Sequence, residues 1–399
     1  MGAIRIRGGA RTPFGRAKGA LASFAPLALA RAAAEEALAR TETAPDEVAA
    51  LVLCTGTAAN WPPYPARVLG RELGLAPERP CLAVVEDAAG PLTALDRLLA
   101  RDGLTLIVGA GSASAAIGTR EAGRSILDRE STDPDTGLLI GEEAEVIARA
   151  HGLRREALDS LAIESHMNAA RARAEGVLRA ESFGLFAGAD WEEHVRDDQG
   201  ILASASAEKF AAVPAMKSGG TATHANIALP CDGAAALIAG EGRHGALLRR
   251  VMVAGARPEA SGLAAAVAAV LAAEGVAPGD LQALELHERS AAHLAAALKE
   301  LGFGLRQKLN RSGGAIALGH VPGGTMVRHI LCLCARLEPG ALGVAAAAAG
   351  GLCGAALIEG AGRWYYFRRV TLPLLMPTML FVLVNATINS FKLVDHIFI

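Results

Sequence analysis

The run GGAIALGH (Gly313–His320) closes a string of small residues on a histidine, a side chain that takes or gives a proton near neutral pH. A second histidine, His287, ends the short apolar run Leu284–His287 and is followed by Glu288. Asp87 lies in VVEDAAGPL (Val84–Leu92), just ahead of a stretch in which Leu92, Leu95, Leu98 and Leu99 stand at helical spacing. Each of the three falls on a loop at a predicted strand end, where ligand sites of α/β proteins form. The expectation is that His320 and His287 face one pocket with Asp87 at its floor. Together they offer general acid–base chemistry. Taken alone, Asp87 reads as the cap of the following helix, its charge favoured by the helix N-terminus, with general-base work as the alternative.

Thiol chemistry has weaker support. The six cysteines (Cys54, Cys81, Cys231, Cys332, Cys334, Cys353) contain no CxxC pair and read as reduced, buried side chains. Cys81 precedes Asp87 by six residues, roughly 20 Å along an extended strand. No spacing of His, Cys, Asp or Glu suggests a metal site.

The elements that must hold these groups follow from the apolar pattern. Leu51–Thr55 and Leu104–Gly109 are continuous apolar runs, as expected of strands buried on both faces. Val251–Ala254, Leu284–His287 and Leu342–Ala347 repeat the pattern, separated by helix-like stretches at Gly262–Glu274 and Ala291–Leu301. Between the two series lies a more polar insertion, about residues 118–214, with helices expected over Glu142–His151 and Arg155–Gly176 and an acidic loop around Trp191–Gln199. The reading is an α/β half with an insertion (residues 1–240), a second α/β half (241–360) and a tail (361–399), with the repeat carried by element order and not by letters.

Composition agrees. A chain of 399 residues suits two or three compact units, and its 52% apolar content is largely alanine, with only 4% aromatics, which favours close backbone packing. A formal charge of −2 gives no electrostatic footprint for nucleic acid. Arg5, Arg7 and Arg11 fall where a signal peptide would be apolar, so a cytoplasmic location is expected. The tail differs: Arg363, Arg368 and Arg369 precede Val370–Ile388, an apolar run of about bilayer length broken by Pro373 and Pro377. Any membrane contact is expected through this tail alone, projecting from the core with Trp364–Phe367 against nearby surface.

Five fragments in order resemble the thiolase family: RTPFGR (Arg11–Arg16), the segment from GEEAEV (Gly141–Ala170), DGAAALI (Asp232–Ile238), LHE (Leu286–Glu288) and GGAIALGH. The resemblance covers about residues 4–359. It implies a thiolase-like α/β fold, two similar layered αβα halves with an inserted loop domain, and an acyltransferase of the acetyl-CoA acetyltransferase type. It also implies a coenzyme A thioester as substrate, no permanently bound cofactor, a place in fatty acid metabolism, and a homodimer or tetramer paired through Leu82–Val85. Thiolases divide their chemistry among two cysteines and a histidine. His320 matches the histidine, and His287 the position that helps polarise the thioester oxygen. Aligning on Gly90 and Leu92 puts Asp87 at the nucleophilic cysteine; anchoring on Gly354 puts Ala348 at the second. Asn226, Gly319 and Arg289 fall in segments that line the family's substrate site. In ANIALPCDG (Ala225–Gly233) Asn226 remains while Ala228 and Leu229 replace serine and glycine, and Arg289 and Ser290 replace Ala-Phe, with Arg289 expected to lie solvated. Without the cysteines, three roles follow: an acyltransferase homologue with doubtful thiolysis, a thioester-dependent carbon–carbon lyase with a small OB-fold partner, or a non-catalytic partner subunit. GAALIEGAGRWYYFRRVTLPLLMP (Gly354–Pro377) is similar instead to the coupling loop of ABC-importer permeases, as a fusion of two coding stretches would produce.

Overall fold

The computed structural model describes residues 3–395 except 57–59, 100–101, 118, 122–123, 126–131, 135, 188–192, 256–261 and 363–371. Nine strands carry the architecture: β1 (Ile4–Arg11), β2 (Val48–Thr55), β3 (Cys81–Val85), β4 (Leu104–Ser112), β5 (Cys231–Glu241), β6 (Ala246–Gly255), β7 (Leu281–Leu286), β8 (Leu342–Ala349) and β9 (Leu352–Glu359). They form one sheet in the order β7-β8-β9-β6-β1-β5-β4-β2-β3, with Gly15–Arg16 adding a short tenth strand against β5. The seam between halves is the antiparallel pairing of β1 with β6.

Outward from that seam the first half runs β1, β5, β4, β2, β3 and the second β6, β9, β8, β7. Each half makes two antiparallel pairings and then turns parallel, for two pairings in the first half and one in the second. The repeat inferred from element order is therefore a repeat of pairing direction.

The helices used below are α1 (Pro26–Arg40), α2 (Gly90–Arg97), α3 (Ile140–Ala150), α4 (Arg155–Ala174), α5 (Leu263–Glu274), α6 (Ala291–Leu301), α7 (Gly324–Arg336) and α8 (Leu372–Asp395). Strand β5 shows why its sequence lacks an apolar–polar alternation. Ala234, Ala236 and Ile238 pack with α1 on one face, whereas Ala235, Leu237 and Ala239 pack with Met326, Val327 and Ile330 of α7 on the other. Small residues allow α7 to sit close: a Cβ on Gly109 would lie 2.3 Å from the Gly323 carbonyl carbon. That approach fixes the start of α7, four residues after His320.

The RTPFGR segment owes its charges to the same packing. Arg11 is fully buried and bonds Asp198 (2.6 and 2.8 Å) and Glu181 (2.9 Å), tying β1 to the inserted region. Arg328 of α7 reaches Glu181 at 3.1 Å from the other side.

Among the described residues no helix is long and apolar enough to cross a membrane. The apolar run of about bilayer length ends in polar positions, and Asn385 and Thr387 donate to the carbonyls of Phe381 and Leu383 within α8. The side chains from Met379 to Val384 are exposed, as a projecting segment requires. The expected contact of Trp364–Phe367 with the core falls outside the described residues.

Candidate active site

Asp87 follows β3 on a tight turn, where it adopts a positive φ of 45° before a single 3-10 turn (Asp87–Ala89) leads into α2. Aspartate tolerates this left-handed region better than most residues. The turn aims its carboxylate away from the helix. Asp87 makes no capping hydrogen bond, which corrects the reading of it as a helix cap. Its Oδ1 instead lies 2.9 Å from Nε2 of His320.

His320 is held by its backbone. Its N–H donates to Leu229 O at 2.8 Å, and its carbonyl accepts from Cys231 N–H at 2.8 Å. Gly319 sits at φ 99°, and a Cβ there would lie 2.0 Å from Cys231 Sγ. Gly319 thus positions the histidine and is absent from the cavity wall. On the other side of the ring, His320 Nδ1 lies 3.2 Å from His287 Nε2 and 3.2 Å from Thr325 Oγ1. His287 in turn is anchored where β7 ends, its N–H donating to Ala346 O of β8 at 2.9 Å.

Glu288 joins the two histidine loops. Fully buried, it accepts from Ser165 Oγ (2.7 Å), Asn310 Nδ2 (2.7 Å) and Ile316 N–H (3.0 Å). A Cβ on Gly314 would fall 2.2 Å from its carboxyl carbon, which accounts for the second glycine of GGAIALGH. Burial pushes the Glu288 carboxyl up, against the opposing hydrogen bonds of Asn310, Ser165 and Ile316.

The electrostatics assign protonation roles. Burial would raise the Asp87 carboxyl, but His320, by charge and hydrogen bond, outweighs it, and with His287 and Arg289 brings it down to about 2. An ionised carboxylate accepts only, so Nε2 of His320 carries the shared proton. Burial, reinforced by His320, moves His287 well below the ordinary imidazole value, so it is neutral. His287 Nδ1 is buried without a hydrogen-bond partner among the described residues.

A cavity of about 260 Å³ opens over these groups, with Asp87, His287, His320 and Arg289 on its polar side and Leu139, Ile140, Met216 and Leu229 among its apolar lining. A smaller cavity on the far side of the Asp87–His320 pair is lined by Ser112 and Cys231. Cys231 lines this cavity together with Asp87 and His320, a proximity that sequence spacing concealed. Burial first, then Asp232 and Asp198, pushes it up to about 12, so it is no thiolate.

The remaining candidates separate. Asn226 lines neither cavity. Its side chain donates to Asp159 Oδ1 (2.9 Å) and Thr221 O (3.0 Å) and accepts from Thr223 N–H (2.8 Å), which makes it a loop clamp. Ala348 lies near the end of β8, opposite Cys353 in a hairpin, and brings no titratable group. Cys353 is buried, with its thiol directed to Gly255 O. Arg289 corrects its expectation of solvation: it is 7% exposed and lines the main cavity, with Nε 3.1 Å from Glu143 Oε2. Glu143, on α3, also faces His293 Nε2 at 3.3 Å. Burial would raise this carboxyl too, but His293 and Arg289 bring it to about 2. Sequence reasoning missed Glu143, although it belongs to the GEEAEV fragment.

Comparisons with known proteins agree with this architecture. Residues 108–241 match the family model of the thiolase N-terminal domain, and residues 243–360 that of the thiolase C-terminal domain. A 3-ketoacyl-CoA thiolase of Bacillus subtilis is 29% identical over 356 residues, covering 82% of this chain and 91% of the relative. An acetyl-CoA acetyltransferase of Chromobacterium violaceum is 27% identical over 372 residues, covering 84% and 93%. Among solved structures, an acetyl-CoA acetyltransferase from Syntrophomonas wolfei superposes with a TM-score of 0.80 at 26% identity, covering 90% of this chain and 99% of its own. A thiolase from Ascaris suum in complex with coenzyme A superposes at 0.81 with 24% identity and the same coverage, a likeness of fold. With both family domains matched in order along one sheet, this chain belongs to the thiolase family.

Proposed function

We propose that the chain binds a coenzyme A thioester in the cavity above Asp87, His287 and His320 and acts on it by proton transfer, without carrying the acyl group on a side chain. The observation behind this reading is the 2.9 Å pairing of the Asp87 carboxylate with His320, on the turn that by resemblance aligns with the thiolase nucleophilic cysteine. A carboxylate is a poor nucleophile toward a thioester and would form a labile anhydride, so the thiolytic route lacks its first step.

An aldol-type cleavage needs no acyl acceptor. The Asp87–His320 pair takes the proton of a β-hydroxyl, the Cα–Cβ bond breaks to release a carbonyl compound, and the electron pair moves onto the thioester oxygen. His287, neutral and on the polar side of the same cavity, is the group placed to polarise that oxygen. The reading is therefore a thioester-dependent carbon–carbon lyase on a thiolase scaffold. A homodimer through β3 belongs to it: this strand ends the sheet, and Leu82 and Val85 are 43% and 50% exposed.

The test is intact-protein mass spectrometry after incubation with acetyl-CoA, paired with calorimetry for coenzyme A binding. Binding without a mass increase is expected. A stable acetyl adduct on Asp87, Cys231 or Cys353 would overturn the reading.

A further inference from the structure

Arg289 is a buried cation with donors to spare, and the acid–base chemistry above uses only its charge, which helps hold Asp87 ionised. The residue is 7% exposed, and its guanidinium carries five N–H donors. The contact with Glu143 at 3.1 Å is ionic and lacks hydrogen-bond geometry: Nε and one terminal nitrogen of Arg289 have no hydrogen-bond partner among the described residues. A buried donor left unpaired is costly, and a planar guanidinium is shaped to receive a carboxylate through two parallel hydrogen bonds. The side chain lines the same cavity as Asp87, His287 and His320, and the surrounding wall, with Leu139, Ile140, Met216 and Leu229, is apolar. With Asp87, His224, His287 and His320 as the other polar lining, an underused guanidinium beside this apolar wall favours an anionic group on a short chain.

Glu143 is the counter-charge that makes such a site tolerable when empty. It also faces His293 Nε2 at 3.3 Å, and its ionic contact with Arg289 leaves two guanidinium nitrogens without a hydrogen bond among the described residues. Asp87 is engaged by His320 and is not available to pair with Arg289 as well as a ligand would.

We propose that Arg289 is a specificity determinant for acyl groups bearing a second carboxylate, so that the preferred ligand is the monothioester of a short dicarboxylic acid. This rests on the reading that the acyl group of a coenzyme A thioester enters this cavity.

The test compares succinyl-CoA with butyryl-CoA, which match in chain length and differ in the terminal carboxylate, by calorimetry on the full chain. The wild-type protein is expected to bind succinyl-CoA about tenfold more tightly or better. Arg289→Gln should bring the ratio of the two affinities to within about twofold, and Arg289→Lys should retain part of it, since the charge remains while the planar fork is lost. Equal wild-type affinities overturn the proposal without any variant having to fold. A preference that survives in a folded Arg289→Gln protein overturns the assignment to Arg289. If coenzyme A and both thioesters all fail to bind, the reading of the cavity fails, and this inference fails with it.

Discussion

Replacing Asp87 by asparagine isolates the charge of its pairing with His320 while sparing the shape of the turn. Asparagine also tolerates a positive φ, so the 45° conformation survives, and its carbonyl still accepts from His320 Nε2. What disappears is the ionised carboxylate. A carboxyl held at about 2, against an ordinary 3.8, contributes roughly 2 kcal/mol to folding at a pH where it is ionised in both states. Asp87 has a side chain 21% exposed, so solvent screening trims this figure modestly. The sign follows from linkage. Because the folded value lies below the unfolded one, the contribution is full above the unfolded value and declines as pH falls through 3.8 toward 2. Urea midpoints of wild type and Asp87→Asn, compared at pH 5.5 and 3.5, measure it. The variant should be less stable at pH 5.5 by about 2 kcal/mol, and the gap should narrow at pH 3.5. Equal midpoints at pH 5.5, or a gap that does not narrow, would refute the pairing as the source of the depressed carboxyl.

Gly319→Ala should cost about 3 kcal/mol, because the new Cβ meets Cys231 Sγ at 2.0 Å and the residue sits at φ 99°; a thermal melt unchanged from wild type would count against the clamp on His320. Asp87→Cys combined with Ala348→Cys should yield a detectable acetyl adduct after incubation with acetyl-CoA, since the first thiol would stand beside His320. Persistent inertness in a variant that still binds coenzyme A would mean that the pocket has diverged beyond its nucleophile. Truncation after Gly362 should leave the melting temperature nearly unchanged and reduce aggregation, because α8 exposes Leu380, Phe381 and Leu383 at 61%, 70% and 63%. The cut belongs there and not after Gly360, as Ala361 is still 2% exposed; unfolding of the shortened chain would show α8 to be part of the core.

The sequence made the strands and the two histidine loops legible for a physical reason: they depend on local patterns. A strand buried on both faces must be a continuous apolar run, and β2 and β4 are. A loop that must pass within reach of Glu288 and Cys231 must use glycine at 314 and 319, and GGAIALGH does. What stayed hidden depends on side chains brought together from distant segments. Asp87 and Arg289 were both assigned their commonest solitary roles, a helix cap and a solvated charge. Each was instead claimed by a partner more than a hundred residues away, His320 for the one and Glu143 for the other. Asn226 misled in the opposite direction: it kept its family letter, yet its hydrogen bonds go to Asp159, Thr221 and Thr223 and not to the cavity. Conserving a letter did not conserve a role, and losing one did not empty the site. By resemblance, the turn that presents a thiol in thiolases here presents a carboxylate, and the paired histidine brings that carboxylate down to about 2. A scaffold that positions its groups through backbone clamps at Leu229, Cys231 and Ala346 keeps the geometry whichever side chain stands at position 87. On the proposed function, that independence is what would let acid–base chemistry occupy a site on this family's fold.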